Sequence, residues 1–259
     1  EFRAVFNLHR HFNSGLITAM MKSEAKLGFK ENPLSLFYTH KVPHHIPHMV
    51  DGVAWHEVQR NHQLLHAYDP SVPLESNPKK LKPVLPIQAK NLEKVSAYQS
   101  VPYVVVAPAS VWFTKQWEEA KYTELVSKLS ASVQVYLIGG PADAELCGRV
   151  KGSSSAINLC GRLNLIDSAA LMQKARRVFV NDSGPLHLAS AVNAPTTAVF
   201  CSTVPAFGYG PLADDAIILE SPGKLDCRPC GLHGYTACPL GHFKCSKDIS
   251  VQGALETHH

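Results

Sequence analysis

The residues best suited to chemistry stand together at positions 181–187, Asn-Asp-Ser-Gly-Pro-Leu-His, directly after an apolar run that ends at Val180. Ser183 is a favoured helix N-cap and Pro185 suits a first helical turn, so the pattern predicts a helix that begins here. Free backbone N–H groups at such a helix start attract phosphates, and Gly184 lets a ligand approach the backbone. An ordinary capped helix needs only Asp or Ser, so the whole combination favours an anion-binding turn.

A second polar segment, 108–117, also follows an apolar run. Lys115 is suited to a diphosphate as a point charge, while Ser110 and Thr114 offer hydroxyl hydrogen bonds. A solvated surface lysine is the alternative. Neither a G-x-x-x-x-G-K nor a G-x-G-x-x-G pattern occurs in the chain, which excludes a P-loop and the common dinucleotide fingerprint.

A third segment, 139–143, combines two glycines with Asp143 after another apolar run. The glycines permit close backbone approach, and the carboxylate is suited to accept hydrogen bonds from ribose hydroxyls. Asp143 is equally suited to cap a helix, and the two roles are compatible.

Four cysteines define what we call the cysteine-rich segment, 227–245, with the spacing Cys227-x2-Cys230-x7-Cys238-x6-Cys245. Four thiolates at this spacing can hold a tetrahedral zinc ion. The alternative is a compact loop whose thiols only pack. The other three cysteines stand in apolar segments, which suits a reducing compartment.

From position 101 onward, strand and helix patterns alternate, and the predicted elements would position these residues. Strands are predicted at 103–107, 133–138, 157–159, 177–180 and 196–200, and helices at 117–129, 143–150, 165–175 and 185–192. This alternation favours an α/β fold built on a doubly wound parallel sheet. Ligands bind beyond the carboxyl ends of such strands, where the polar segments lie.

The chain before position 101 has a different character. Residues 1–70 mix short strand and helix patterns, including a strand at 2–8 and a helix at 48–68, and are predicted to be the remainder of an N-terminal domain. Prolines interrupt residues 71–100, which predicts a linker with at most one short strand, and 101–259 form the C-terminal domain. The chain does not begin with Met and has no signal segment, so we expect a preceding part of a longer protein to be absent.

Composition limits the function further. The 259 residues include 25 Lys and Arg against 21 Asp and Glu, a net charge of +4 that is too small for a dedicated nucleic-acid binder. A hydrophobic content of 45% is enough for a sizeable core, and no apolar run is long enough to cross a bilayer. A soluble cytoplasmic protein without a transmembrane segment is expected.

Several of these stretches resemble the ADP-heptose:lipopolysaccharide heptosyltransferases, glycosyltransferase family 9. The most specific are 158–163 (Asn-Leu-Cys-Gly-Arg-Leu), 181–188 and the cysteine-rich segment, which is most like heptosyltransferase II. The resemblance implies a GT-B fold, with two Rossmann-like domains facing a cleft and the N-terminal one incomplete. It implies inverting transfer of heptose from ADP-L-glycero-D-manno-heptose to the lipopolysaccharide inner core without a cofactor. The acceptor would be the lipid A–core oligosaccharide at the cytoplasmic face of the inner membrane.

The resemblance also assigns roles to residues. Ser110 and Lys115 match positions that hold the donor phosphates, with Lys115 stabilising the leaving group, and Asp143 and Leu163 match positions near ribose and adenine. The loop that grips diphosphate and sugar corresponds to Asp182, Ser183, Gly184 and His187. A catalytic Asp is expected before the matched region, so no residue here corresponds to that general base. Candidates for the acceptor's anionic groups are His9, Arg10 and Arg60.

Two other functions remain open at this stage. Another GT-B enzyme, a transferase or epimerase that uses a UDP-sugar, would differ in its preference for the nucleotide base. A non-catalytic binding module stabilised by zinc would differ in its metal content. In the heptosyltransferase family the cysteine-rich segment is not generally a metal site, so the resemblance favours a chain without metal.

Overall fold

The computed structural model describes residues 1–46 and 54–258. They form two compact units. The first unit comprises Glu1–Leu81 together with Ala206–Tyr209, and the second comprises Lys82–Pro205 together with the chain from Gly210 onward. The main chain therefore leaves the first unit after Leu81 and returns to it for four residues.

The first unit contains a parallel sheet in the order β1-β2-β3. Its strands and helices are β1 (Phe2–Asn7), α1 (Phe12–Met20), β2 (Ser23–Phe29), β3 (His40–Val42) and α2 (Glu57–Tyr68), with short 3-10 turns at Ser35–Phe37 and Pro78–Leu81. Leu27, Phe29, Val42 and Leu64 form its small buried core.

Helix α2 begins at Glu57, nine residues after the start predicted for it at 48; residues 47–53 lie outside the described part of the chain. His56 caps the helix. Its Nδ1 accepts a hydrogen bond from the backbone N–H of Val58 (3.2 Å), and Gln59 Oε1 accepts one from the backbone N–H of His56 (2.9 Å). This reciprocal capping satisfies N–H groups that have no partner within the helix, which explains why α2 begins at Glu57.

The second unit is built on a six-stranded parallel sheet in the order β6-β5-β4-β7-β8-β9, counted over the described residues. Its strands are β4 (Tyr103–Ala107), β5 (Gln134–Leu137), β6 (Ile157–Asn158), β7 (Val178–Asn181), β8 (Thr196–Phe200) and β9 (Ala216–Glu220). Its helices are α3 (Ala89–Val95), α4 (Glu119–Leu129), α5 (Ala144–Lys151), α6 (Leu165–Met172), α7 (Gly184–Ala191), α8 (Lys244–Lys247) and α9 (Val251–Glu256).

Both faces of this sheet are covered. Along β4, Val104 and Val106 belong to one buried cluster, while Tyr103, Val105 and Ala107 belong to another on the opposite face. A strand buried on both faces needs no polar alternation, which accounts for its continuous apolar sequence. The predicted α/β fold with parallel sheets is confirmed.

Two local predictions differ from the structure. Strand β9 pairs with β8 in parallel and extends the sheet beyond the last predicted strand, although residues 216–219 are a continuous apolar run and were an available signal. Within 71–100, where at most a short strand was predicted, residues 89–95 form helix α3. Buried Asp167 of α6 accepts hydrogen bonds from Asn91 and Lys94 of that helix, a pairing the local sequence does not reveal.

Over the described part of the chain, no helix combines the length and the apolar character needed to span a bilayer.

Candidate functional site

A pocket of about 620 Å³ opens at the carboxyl ends of β4, β5 and β7 in the second unit. The predicted residues Ser110, Asp143, Leu163, Ser183 and Gly184 line it. Much of the remaining wall is apolar and includes Ile138, Leu165, Met172 and Leu188. An apolar pocket with a few polar groups at its edge suits a flat organic ring attached to a polar group.

Lys115 and Asp182 form an ion pair beside the start of α7. Lys115 ends the 3-10 turn Phe113–Lys115 after β4, and Asp182 immediately follows β7. The Lys115 Nζ lies 2.7 Å from Asp182 Oδ2, and the two side chains are only 16% and 7% exposed. Thr203 donates a hydrogen bond from its Oγ1 to the same Oδ2 (2.6 Å). The pair therefore holds a cation and a carboxylate next to the start of α7.

Asn181 ties the two loops together. It is fully buried at the end of β7, and its Nδ2 donates to the carbonyl oxygen of Pro108 (2.7 Å). Its Oδ1 accepts from the backbone N–H of Trp117 and from the Tyr122 hydroxyl, each at 3.0 Å. No role of its own was predicted for Asn181, although an amide at the buried end of a strand was an available signal.

His187 lies in α7, near the Lys115–Asp182 pair. The surrounding protein limits hydration of the imidazolium and lowers the pKa of His187; the charge of Asp182 opposes this shift, and the charge of Lys115 adds to it. The imidazole therefore holds a proton less readily than a free histidine side chain does, and it is exposed at the surface.

Three predicted polar residues use their side chains locally. Thr114 is 1% exposed, and its Oγ1 accepts a hydrogen bond from the backbone N–H of Tyr235 (2.7 Å), so we do not retain it as a direct ligand contact. Ser183 precedes α7 but does not cap it with its side chain; its hydroxyl donates instead to the Asn181 carbonyl oxygen (3.3 Å). Asp143 Oδ2 accepts from the Gly140 N–H (2.8 Å) while still lining the pocket.

A second charged cluster lies within the first unit. Arg60 is 1% exposed, and its guanidinium donates to Glu57 Oε2 (2.9 Å) and to the carbonyl oxygens of His45 (3.1 Å) and Phe207 (3.0 Å). Burial alone would raise the pKa of Glu57, but hydrogen bonds from His44 and Arg60 outweigh it and lower the pKa to about 2. Arg60 is thus committed to internal contacts, which corrects its assignment as an acceptor-binding candidate.

The cysteines are all free thiols. Among residues 1–46 and 54–258, no group of three or more His, Cys, Asp or Glu side chains is arranged to hold a metal ion. Cys230 donates its thiol to the Cys227 carbonyl oxygen (3.1 Å), and burial raises the pKa of Cys245 to about 11. Burial raises the pKa of Cys230 as well, so the thiolate form of both cysteines is disfavoured.

Comparisons with solved structures identify the architecture. The structure of E. coli ADP-heptose lipopolysaccharide heptosyltransferase II has a TM-score of 0.72 at 21% identity and covers 99% of this chain and 74% of that one. A family 9 glycosyltransferase from Veillonella parvula has a TM-score of 0.75 at 18% identity and covers 98% of this chain and 72% of that one. The fold is therefore of the GT-B type.

Sequence relatives come from the same group. The lipooligosaccharide heptosyltransferase 2 of Campylobacter jejuni is 26% identical over 154 residues, which cover 57% of this chain and 47% of that protein. The lipopolysaccharide heptosyltransferase 1 of Pseudomonas aeruginosa is 32% identical over 132 residues, 50% of this chain and 36% of that protein. The chain thus spans half or less of the length of these curated relatives.

A family model described as glycosyltransferase family 9 (heptosyltransferase) matches residues 1–234. This match includes every predicted site residue and continues into the cysteine-rich segment. It confirms the family predicted from the sequence. The chain belongs to glycosyltransferase family 9, the heptosyltransferases.

Proposed function

We propose that this protein transfers a heptose from ADP-L-glycero-D-manno-heptose to the inner core of lipopolysaccharide, with inversion at the anomeric carbon. The observation that carries the proposal is the pocket beside the Lys115–Asp182 pair and the first turn of α7. An apolar pocket next to a cation and a helix start offers complementary surfaces to an adenine ring and to a diphosphate. Family membership supports sugar transfer as the reaction.

In this proposal each part of the donor has its own contacts. Adenine lies against Leu163, the ribose lies near Asp143, and the diphosphate lies between Ser110, Lys115 and the backbone of Ser183 and Gly184. The sugar lies toward Asp182 and His187. Thr114 supports Lys115 without touching the donor.

The chemistry is direct displacement at the anomeric carbon through an oxocarbenium-like transition state. Negative charge collects on the departing ADP, and Lys115 together with the N–H groups at the start of α7 stabilises it. These groups are already in place, so little reorganisation is needed when the bond breaks. No resident cofactor takes part in this scheme. The expectation that the general base is an Asp preceding the matched region stays a prediction.

The acceptor is proposed to bind through the first unit, where His9 and Arg10 follow β1. His9 is exposed and Arg10 is partly exposed, so their positive or ionisable groups can reach anionic groups of the lipid A–core. Because that acceptor is embedded in lipid, we propose that the protein works at the cytoplasmic face of the inner membrane.

Calorimetric titration with ADP and, in parallel, UDP tests the donor assignment. We expect ADP to bind and UDP to bind at least about tenfold more weakly, a difference of about 1.4 kcal/mol. A preference for UDP would favour a UDP-sugar transferase or epimerase instead. Binding of neither nucleotide would contradict the proposed donor site.

A substitution at Gly184 can change ligand binding without changing the fold. A Cβ built on Gly184 meets no atom within 4 Å, so Gly184→Ala should keep the fold and change the unfolding free energy by less than about 1 kcal/mol. If the diphosphate approaches this backbone, the added methyl group should weaken ADP binding about tenfold. Calorimetry and thermal unfolding measure the two effects.

Gly148→Ala is the matched control for that variant. Gly148 lies inside α5 and its Cβ would also meet no atom within 4 Å. This variant should keep the wild-type affinity for ADP. Equal ADP affinity in the Gly184→Ala protein would contradict a close approach of the donor to Gly184.

His187 should make ADP binding depend on pH. Burial lowers the pKa of His187 in the free protein, and the negative diphosphate would raise it, so ADP binding takes up a proton. By linkage, the affinity ratio of wild type to His187→Asn should rise by about threefold as the pH falls through the range in which His187 titrates. Using the ratio cancels protonation of ADP itself. A ratio that is constant with pH would show that His187 lies too far from the diphosphate for the two charges to interact.

A further inference from the structure

The cysteine-rich segment packs against two loops beside the Lys115–Asp182 pair. One follows β4 and carries Lys115, and the other, Cys201–Thr203, follows β8 and contacts Asp182 through Thr203. Nothing in the donor contacts proposed above uses the segment, although its sequence is among the most specific in the chain. Its hydrogen bonds indicate what it does.

On the lysine side, the segment holds Thr114. The backbone N–H of Thr114 donates to the Tyr235 carbonyl oxygen (3.0 Å), and Tyr235 N–H donates back to Thr114 Oγ1 (2.7 Å). Gly234 has a φ of 77° and lies so close that a Cβ there would be 2.8 Å from Thr114 Oγ1 and 3.1 Å from Lys115 Cγ. The turn therefore restricts both the backbone before Lys115 and the start of its side chain.

The same loop is fixed at two further points. The rings of Phe113 and Phe243 stack with their centroids 5.2 Å apart. The backbone N–H of Glu118 donates to Ser246 Oγ, directly after the segment, at 2.9 Å. Contacts on both sides of Lys115 thus come from the same stretch of chain.

On the aspartate side, the segment acts through Arg228. Its guanidinium donates to the carbonyl oxygens of Cys201 (2.6 Å) and Thr203 (2.7 Å), and the Cys230 N–H donates to the Ser202 carbonyl oxygen (2.8 Å). These bonds hold the loop that presents the Thr203 hydroxyl to Asp182 Oδ2. Thr203 is 1% exposed, so water does not readily replace its hydroxyl.

We propose that the cysteine-rich segment positions the Lys115–Asp182 pair beside the diphosphate, holding Lys115 through Thr114 and Asp182 through Arg228 and Thr203. The placement of the diphosphate beside that pair rests on the proposed function. Thr114, Arg228, Thr203 and Tyr235 are positioning residues and do not touch the donor.

Thr203→Val tests the aspartate side. Valine keeps the shape of threonine and removes the hydroxyl that donates to Asp182. We expect the Kd for ADP to rise about tenfold, or about 1.4 kcal/mol, while the Kd for adenosine, which lacks the diphosphate, stays unchanged. Thr203→Ser restores the hydroxyl and should restore the affinity for ADP. Thr114→Val tests the lysine side in the same way, with Thr114→Ser as its rescue.

Thr196→Val is the matched control. Thr196 is buried at the far end of β8, and its hydroxyl donates to the Ala194 carbonyl oxygen (2.7 Å). This variant should bind ADP as the wild type does. An equal loss of ADP and adenosine affinity in Thr203→Val, or no loss of either, would overturn the positioning role.

Crystal structures of the wild type and of Thr203→Val test the positioning role independently of the proposed function. If the wild type binds no ADP, the proposed function fails, and the structures alone then decide the positioning role. The proposal expects Lys115 Nζ and Asp182 Oδ2 to lie more than about 3.5 Å apart in the variant, beyond hydrogen-bond distance. An intact pair in the variant would overturn it.

Discussion

In the proposed transfer reaction, replacing Lys115 with alanine is expected to lower the rate by about 100- to 1,000-fold. The lysine supplies a cation to the proposed diphosphate, and its Nζ lies 2.7 Å from Asp182 Oδ2 in a poorly exposed site. Without it, charge on the departing ADP loses a preorganised partner, and the buried Asp182 carboxylate is left to repel that charge. ADP affinity should therefore also fall, by at least about tenfold. A single-turnover transfer assay and calorimetry measure the two effects.

Lys128→Ala provides the control for this loss of charge. Lys128 lies on α4 in the same unit, is half exposed and pairs with Glu124 across one helical turn. Its removal changes the net charge equally but should leave both rate and ADP affinity within about twofold, because exposed charges are screened. If Lys115→Ala behaves like Lys128→Ala, the assignment of Lys115 to the phosphates is wrong.

Replacing Arg60 with methionine should destabilise the first unit by about 3 kcal/mol. The guanidinium is 1% exposed and donates to the Glu57 carboxylate and to two carbonyl oxygens. Methionine fills similar space but leaves these acceptors without their donor, and the two carbonyl groups lose a hydrogen bond in a place that excludes water. Urea unfolding followed by a probe in the first unit measures the loss.

Arg149→Met is the matched substitution at the surface. Arg149 pairs with Glu119 and Glu145, but its side chain is 50% exposed. Exposed ion pairs contribute little to stability, so this variant should unfold at nearly the wild-type urea concentration. Equal effects of Arg60→Met and Arg149→Met would show that the buried network contributes no more than a surface pair.

The second unit was the more predictable part of the fold. Strands buried on both faces, such as β4, are continuous apolar runs, and their order along the chain alternates with amphipathic helices. Strand β9 was missed although residues 216–219 form a continuous apolar run, so in this case the sequence did carry the signal. Helix α3 was missed because the stabilising contact of Asn91 is with Asp167, 76 positions away.

In the candidate site, too, contacts between distant positions could not be predicted from the sequence. Residue types at the carboxyl ends of the strands indicated Lys115 and Asp182, since parallel strands bring those ends together. The Thr114 hydroxyl is chemically suited to contact a ligand. Only the structure shows that it accepts a hydrogen bond from the backbone N–H of Tyr235, 121 positions later. Arg228 and Thr203 are 25 positions apart, and the hydrogen bond between them uses the main-chain carbonyl oxygen of Thr203. Because every residue has such a carbonyl, the sequence carries no signal for this contact.

The return of residues Ala206–Tyr209 to the first unit has a consequence for biosynthesis. One acceptor of the Arg60 guanidinium is the carbonyl oxygen of Phe207, 147 residues later in the chain. At a translation rate of about 5–20 residues per second, that acceptor is made roughly 7 to 30 s after Arg60. The buried arginine must stay hydrated on the nascent chain throughout this delay. The unit that comes first in the sequence thus completes its folding only after most of the second unit has been synthesised.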